Sequence, residues 1–283
     1  MQLNLSAPTP LDYFAVLVQS DSALPLLEAA ISLGQDEDPA LDVQQVLADV
    51  DQLMARLRQR LPADAPAMHK LRMVNHYFFN DLHFGGNLNH YYDPHNSFLH
   101  RVLQRRRGIP VSLAVLWLEL AQGLGLPAHG VGFPGHFMVK VNLPHGQVVI
   151  DPFSGQSLGW DELQQRLDAW RGSHGLSGAD ELPLAHYLQA MPARDILARM
   201  LRNLKEIYRT QMDWPRLVAV ENRLLVLLPQ AWEEYRDRGL AQAELGQLGP
   251  ALRDLELYLG KSGGRDDATA IHHRVTELRK ALR

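Results

Sequence analysis

One stretch of nearly unbroken apolar residues, Val111–Leu120, limits what this 283-residue chain can fold into. Its length suits a helix, Pro110 stands at a first-turn position that needs no amide partner, and Gly123 and Gly125 end the pattern. A helix that is apolar on nearly all sides belongs in the interior of a domain. The sequence therefore predicts a central core helix of about ten to fifteen residues, which is too short to cross a membrane.

Two alternating segments after this helix predict short strands. Residues 136–141 and 148–151 place successive side chains on opposite faces. Leu143–Gly146 lies between them and contains the proline and glycine of a tight turn, so an antiparallel hairpin is expected. With one more short strand before the hairpin, the centre of the chain is predicted to be one buried helix followed by three short strands.

The predicted hairpin carries an imidazole and a carboxylate. His136 opens the second strand and Asp151 closes the third. If Asn142 faces His145, then His136 faces Asp151 on the same side of the sheet. This pair would be the orienting half of a catalytic triad. A slip of one residue would separate the two side chains, so the candidate site depends on the register.

The composition excludes several classes of protein. The chain has no cysteine, so it has no disulfide, no thiolate metal ligand and no cysteine nucleophile. A net charge of -4 provides no general attraction for nucleic acid, and the cations of Arg105–Arg107 suit a helix C-terminus. Residues 1–17 lack the basic region and cleavage site of a secretory signal. We therefore expect a cytoplasmic protein with no nucleic-acid partner and no membrane partner.

The N-terminal part is predicted to be helical up to a long loop. Residues 1–79 show helical periodicity, whereas residues 80–96 are polar, contain glycines and end in aromatic residues. Long irregular loops inside compact domains are usually functional. Asn96 is predicted to cap a helix from Ser97 to about Arg106. One hypothesis gives the loop a metal or small ligand, with one pocket wall made by Tyr91, Tyr92, Asp93, His95 and Asn96.

Histidines are concentrated in the same region, and four of them recur at intervals of seven residues: His69, His76, His83 and His90. A metal site would need ligands that converge on one point. Because the predicted helix ends near Asn80, only the first two of the four can share a helix face. We therefore expect solvated histidines, no metal site and no cofactor.

Residues 193–283 differ in kind, because they are predicted to be all-helical and repetitive. Leu217 and Ala251 occupy corresponding positions 34 residues apart, and Gly239–Leu259 has the glycine, alanine and leucine–aromatic spacing of a tetratricopeptide repeat. Two prolines, at 183 and 192, bracket the expected domain boundary. The predicted domains are residues 1–190 and 191–283, and the second could bind a protein partner.

These motifs together resemble a known family. The chain is similar to the bacterial SirB-type proteins in the segments YYDPHNSFLHRVLQRRRGIPVSLAVLWLELAQGLGLP, VGFPGHFMVKV, VIDPF, RMLRNLKEIY and RDRGLAQAELG. The resemblance covers about residues 10–280, and a related block occurs in certain eukaryotic F-box proteins. It implies an α+β fold with a papain-like or transglutaminase-like core, in which a central helix packs on a small antiparallel sheet after N-terminal helices. An all-α tetratricopeptide-like domain would follow.

The resemblance also implies a catalytic pattern that this chain does not complete. Active transglutaminase-like enzymes place a cysteine at the start of the core helix and a histidine and an aspartate on neighbouring strands. By this resemblance His136 and Asp151 match the last two, and the cysteine position falls at or beside Pro110. Proline offers no nucleophile, so the usual acyl transfer is disfavoured. The first hypothesis is a non-enzymatic regulatory or interaction protein that binds a protein partner through the degenerate cleft or the helical repeats.

Under this hypothesis His136 and Asp151 form a structural pair. The candidate binding residues around it are Tyr92, Asn96, Gly135 and Phe153, with Gly135 allowing close backbone approach and Phe153 packing nearby. The alternative is a hydrolase or acyl-transfer enzyme in which Ser112 replaces the cysteine, His136 is the general base and Asp151 orients it. Ser112 lies about 200° around the helix from the cysteine position, which weighs against this alternative.

Overall fold

The computed structural model of the chain describes residues 8–175, 182–261 and 266–283. Their contacts form two compact units. An α+β unit comprises the described residues of 25–35 and 40–197, and a helical unit comprises those of 1–24, 36–39 and 198–283. The division into 1–190 and 191–283 stays a prediction, while the contacts group the first helix of the chain with the C-terminal helices.

The α+β unit contains most of the predicted elements in the expected order. Its helices are α2 (Leu26–Ser32), α3 (Val43–Arg58), α4 (Ala67–Asn75, continued by a π-helical turn His76–Asp81), α5 (Leu99–Arg105), α6 (Pro110–Gly123), α7 (Trp160–Ser173) and α8 (Leu184–Tyr187). Its strands are β1 (Gly85–Gly86), β2 (Arg107–Gly108), β3 (Ala128–Val131), β4 (Met138–Leu143), β5 (Gly146–Ile150) and β6 (Ser157–Leu158). Within the described ranges, no helix combines the length and apolar character that a membrane crossing needs.

Helix α6 is the centre of this unit, as the apolar stretch predicts. Pro110 is its first residue, and 11 of its 14 side chains are buried. It packs against α2, α3, α4 and α5 and against strands β3 and β4. The indole Nε1 of Trp117 donates a hydrogen bond to Asn75 Oδ1 at 3.0 Å, which satisfies the polar atom of a fully buried aromatic side chain. The predicted α+β class, with a central helix on a small antiparallel sheet, is therefore confirmed.

The sheet has four antiparallel strands in the order β3-β4-β5-β6. The predicted hairpin forms, but its predicted register is wrong. Asn142 lies opposite Gln147 instead of His145, a displacement of two residues. Leu143 pairs with Gly146, and Pro144 and His145 form the two-residue loop between them. A four-residue turn pairs its first and last residues, and this turn therefore sets the register of the hairpin. A two-residue displacement leaves every side chain on its expected face.

The segment before β4 is a turn and not the start of a strand. His136 donates its backbone N–H to the carbonyl of Phe133 at 2.9 Å, which closes a turn with Pro134 and Gly135 at its centre. Gly135 has φ +70°, a conformation that side chains with a Cβ rarely adopt. A Cβ there would meet nothing closer than Trp170 Cδ1 at 3.6 Å, so the glycine serves the turn and not a close backbone approach.

The predicted helix cap at Asn96 is also wrong. Helix α5 begins at Leu99 with Phe98 as its N-cap residue and ends at Arg105, before Arg106 in the left-handed conformation. Asn96 instead belongs to a single 3₁₀ turn, Pro94–Asn96, and points its side chain into the preceding loop. The loop offers the amide several backbone carbonyls, and these compete successfully with a helix cap.

The helical unit consists of α1 (Pro10–Leu17), α10 (Trp214–Leu227), α11 (Trp232–Glu244), α12 (Leu248–Lys261), α13 (Ala268–Ala281) and most of α9 (Ala193–Thr210). The 34-residue spacing has a packing basis, since Leu217 and Ala251 are both buried. Gly239 allows α11 and α12 to approach, because a Cβ there would lie 2.9 Å from Leu255 Cγ. The N-terminal helix joins this unit through Phe14, which is fully buried beneath the Arg223 guanidinium of α10.

Candidate functional site

The imidazole and carboxylate expected to pair do so. His136 Nε2 lies 2.8 Å from Asp151 Oδ1. The pair forms across two turns, since His136 precedes β4 and Asp151 follows β5, and not across a ladder of paired strand residues. The Asp151 side chain is only 7% exposed, whereas that of His136 is 25% exposed. The histidine is therefore the member of the pair that a ligand can reach.

Asp151 is held by several donors. Its Oδ1 also accepts the Phe153 N–H at 2.9 Å, and its Oδ2 accepts the Ser154 hydroxyl at 3.0 Å. Burial acts to raise the pKa of Asp151, but the hydrogen bond and charge of His136 and the bonds from Phe153 and Ser154 outweigh it and hold the pKa below its ordinary value. The ionised carboxylate therefore places a proton on His136 Nε2 and leaves Nδ1 outside this hydrogen bond.

Helix α7 forms one side of the surface around this pair. Arg166 Nη1 lies 3.8 Å from Asp151 Oδ2, which is close enough for attraction but too long for a hydrogen bond. Trp170, one turn further along, lies against Gly135 and has its ring centre 4.6 Å from that of His174. Sequence periodicity predicts this helix, but it does not show that Arg166 and Trp170 face the pair.

The long loop contacts Phe153, whose backbone N–H donates to Asp151. Gly86 N–H donates to the Phe153 carbonyl at 2.9 Å, and a Cβ on Gly86 would lie 2.3 Å from the Phe153 ring. The Phe153 ring centre is 6.0 Å from that of Tyr91, which meets Tyr92 edge to face at 5.3 Å. Tyr91 is 42% exposed and Tyr92 is 75% exposed. Phe153, whose N–H binds Asp151, therefore also contacts the aromatic residues of the loop.

Asn96 has a structural place in this loop. It is fully buried, and its amide nitrogen donates to the carbonyls of His90 at 2.6 Å and Tyr91 at 3.2 Å. Its Oδ1 accepts a hydrogen bond from Asn87 Nδ2 at 3.0 Å. These bonds fix the segment that carries Tyr91 and Tyr92, so Asn96 supports the exposed surface from beneath.

The first turn of α6 carries the residue offered as a substitute nucleophile. The Ser112 hydroxyl donates to the Asn96 carbonyl at 2.6 Å, lies 3.0 Å from the Ile109 carbonyl and accepts the Ile109 N–H at 3.1 Å. Its side chain is fully buried. A Cβ on Gly108 would lie 2.7 Å from this hydroxyl oxygen, so the backbone closes over it. Ser112 therefore joins the loop to the start of the helix.

One converging set of metal-type side chains occurs in the part of the chain that the structure describes: Glu221, Glu234 and Asp237 of the helical unit. Lys205 already lies among them, with Nζ 3.0 Å from Glu221 Oε1, 2.6 Å from Asp237 Oδ2 and in contact with Glu234. Burial raises the pKa of Glu221 to about 8, and Glu234 and Asp237 add to this effect against the attraction of Lys205. Sequence reasoning missed this network, although the polar positions inside a helical pattern were a signal.

Comparisons with known proteins agree with this architecture. Residues 44–202 match the transglutaminase-like superfamily, and residues 204–276 match the tetratricopeptide repeat. A UPF0162 protein of Xylella fastidiosa (strain Temecula1) is 40% identical over 240 residues, which cover 84% of each chain. The chain belongs to the UPF0162 family.

More distant UPF0162 proteins match over similar lengths. The one from Vibrio cholerae is 27% identical over 238 residues, which cover 84% of this chain and 86% of the relative. The UPF0162 protein YchA of Escherichia coli K12 is 27% identical over 217 residues, which cover 76% of this chain and 78% of the relative. No solved structure matches the chain. The UPF0162 chain therefore has the transglutaminase-like domain and tetratricopeptide repeats that its sequence motifs imply.

Proposed function

We propose that this UPF0162 chain is a non-enzymatic regulatory or interaction protein whose transglutaminase-like domain binds a polypeptide at the surface around His136. The repeats, a class of structure that serves protein–protein contact, add a second surface for the same or another partner. The SirB-type resemblance and a cytoplasmic location stay predictions beside this proposal.

The observation that carries the proposal is the first turn of α6. The chain has no cysteine, Pro110 is the first residue of this helix, and the Ser112 hydroxyl is buried and bonded to backbone groups of Asn96 and Ile109. An attacking hydroxyl needs access to the substrate and a base to take its proton. Ser112 is buried, and its hydrogen-bond partners are backbone groups that cannot act as a base.

The exposed aromatic residues support a binding role. Tyr91 and Tyr92 combine large exposed ring surface with a loop that Asn96 holds in place. Aromatic side chains on rigid segments are typical anchors of protein interfaces, because they bury much area at a small cost in conformational entropy. His136 and Asp151 form a hydrogen-bonded pair next to Phe153, whose ring centre lies 6.0 Å from that of Tyr91.

Site-specific photocrosslinking in growing cells tests the binding role. A photoreactive phenylalanine analogue at Tyr92 should give a discrete crosslinked species, whereas the same analogue at Met68, which is 42% exposed on α4 of the α+β unit, should not. Loss of the Tyr92 species in the Tyr91→Ala background would place the partner on this loop. Equal crosslinking from both positions would count against a specific surface.

A second assay separates the binding proposal from the alternative, a hydrolase or acyl-transfer enzyme that uses Ser112. Under the binding proposal, the purified full chain should show no turnover of amide, ester or thioester substrates above the buffer rate. Turnover that disappears in both Ser112→Ala and His136→Ala, with the fold intact, would replace the binding proposal by the enzymatic one.

A further inference from the structure

We infer that Arg166 and His136 together recognise an acidic side chain within an extended peptide, an inference that rests on the proposed binding role of this surface. Arg166 Nη1 lies 3.8 Å from Asp151 Oδ2, and 40% of the Arg166 side chain is exposed. Within the described residues it makes no hydrogen bond, and the 3.8 Å ion pair with Asp151 leaves its guanidinium donors available to a ligand.

The carboxylate beside Arg166 does not use up this charge. Asp151 already accepts hydrogen bonds from His136, the Phe153 N–H and Ser154, and Arg166 stays 3.8 Å away. A guanidinium that binds a carboxylate well does so through two short parallel hydrogen bonds. Arg166 therefore retains this capacity for a carboxylate brought by a ligand.

His136 supplies a second point of recognition. Its Nε2 is committed to Asp151, and its Nδ1 has no partner among the described residues. In this tautomer Nδ1 accepts a hydrogen bond, and a peptide N–H is the donor that every non-proline residue carries. A carboxylate for Arg166 and a backbone N–H for His136 are both present in an aspartate residue of a peptide.

The aromatic residues indicate that this aspartate lies inside a chain and not at its C-terminus. Trp170 lies on the α7 side against Gly135, and Tyr91 lies on the loop side against Phe153. Apolar residues before and after the acidic one would each find an aromatic ring. A C-terminal residue would leave one of these rings unused.

Three N-acetylated peptides test the inference on the full-length chain by nuclear magnetic resonance. Acetyl-Leu-Asp-Leu-amide should shift the Trp170 indole and His136 imidazole signals. Acetyl-Leu-Asn-Leu-amide has the same shape without the charge and should bind about tenfold more weakly or worse, since a hydrogen bond to a charged group is lost. Acetyl-Leu-Leu with a free C-terminal carboxylate should bind no better than the asparagine peptide.

Two arginine variants locate the effect. Arg166→Gln should abolish the preference for the aspartate peptide, whereas Arg253→Gln should keep it, because Arg253 is an exposed arginine of α12 in the helical unit. Equal binding of the aspartate and asparagine peptides, an unchanged preference in Arg166→Gln, preference for the free C-terminus, or no binding of any peptide would each overturn the inference. If Tyr92 still crosslinks specifically in those cases, the binding role stands and only the ligand class is wrong.

Discussion

A single side chain, Asp151, determines the local structure on which the candidate site depends. Its two oxygens receive the His136 imidazole, the Phe153 N–H and the Ser154 hydroxyl. These donors tie the turn before β4 to the turn after β5. The pair is therefore a structural element in its own right, whatever it binds.

Replacing His136 by alanine should destabilise the α+β unit. The change leaves a buried carboxylate without one of its donors, and the expected loss is about 1–3 kcal/mol in the free energy of unfolding. Urea unfolding followed by circular dichroism measures it. His145→Ala, in the exposed hairpin loop, is the matched control and should change stability little. An unchanged midpoint for His136→Ala would contradict the structural role of the pair.

Glu221 gives a prediction about pH. Its pKa in the folded chain is raised to about 8, so the stability that it contributes is complete below its unfolded pKa and is lost as the pH rises toward 8. The wild-type chain should therefore be less stable at pH 9 than at pH 6, and Glu221→Gln should reduce this difference. Urea midpoints at the two pH values measure the effect, with Glu206→Gln on the exposed side of α9 as the control. Parallel pH profiles for all three proteins would refute the prediction.

At the scale of elements, the close contact of Gly86 with Phe153 joins strand β1 of the long loop to the site. Gly86 carries no side chain because the Phe153 ring occupies the place where a Cβ would be. The neighbouring Gly85 has open space, with the Phe153 carbonyl oxygen at 3.9 Å from an added Cβ. These adjacent glycines therefore have different sensitivities to the same substitution.

Gly86→Ala should displace Phe153 or the loop and cost about 1–3 kcal/mol, as overpacking of a close contact usually does. Gly85→Ala should be close to neutral. Thermal unfolding compares the two variants directly. The Gly86 variant should also lose the specific crosslink from position 92, since the loop that carries Tyr92 is fixed through this contact. Equal melting temperatures for both variants would show that Phe153 moves aside freely.

The same elements show what the sequence could predict. Periodicity identifies α6 and the hairpin because burial of an apolar surface imposes the patterns directly. The pairing of His136 with Asp151 is observed although the predicted register is wrong, because the turn before β4 and the turn after β5 bring the two side chains together. The contacts of Ser112 with Asn96 and of Arg166 with Asp151 join different elements, and no periodic pattern encodes them.

At the scale of the whole molecule, the helical unit is completed from both ends of the chain. Arg223, 1% exposed, binds Asp36 through Nε at 2.5 Å and Nη2 at 2.8 Å and lies 5.0 Å over the Phe14 ring. Arg216 binds Glu37 from the same helix, but 51% of its side chain is exposed. The two arginines form similar ion pairs at different depths.

Arg223→Ala should destabilise the helical unit by about 3–5 kcal/mol, because it leaves a partly buried carboxylate unpaired and uncovers Phe14. Arg216→Ala should cost no more than about 1 kcal/mol, since solvent screens an exposed pair. Denaturant unfolding monitored in both variants provides the comparison. Similar losses for the two would show that depth does not control the strength of these pairs.

The distance between Asp36 and Arg223 along the chain, 187 residues, also affects how the protein is made. A ribosome that adds about 5–20 residues per second needs roughly 10–40 s to add the arginine after it has added the aspartate. During that interval the nascent α1 has an uncovered phenylalanine and no native partner. During these seconds, a chaperone bound to α1 would prevent its exposed phenylalanine from associating with other chains.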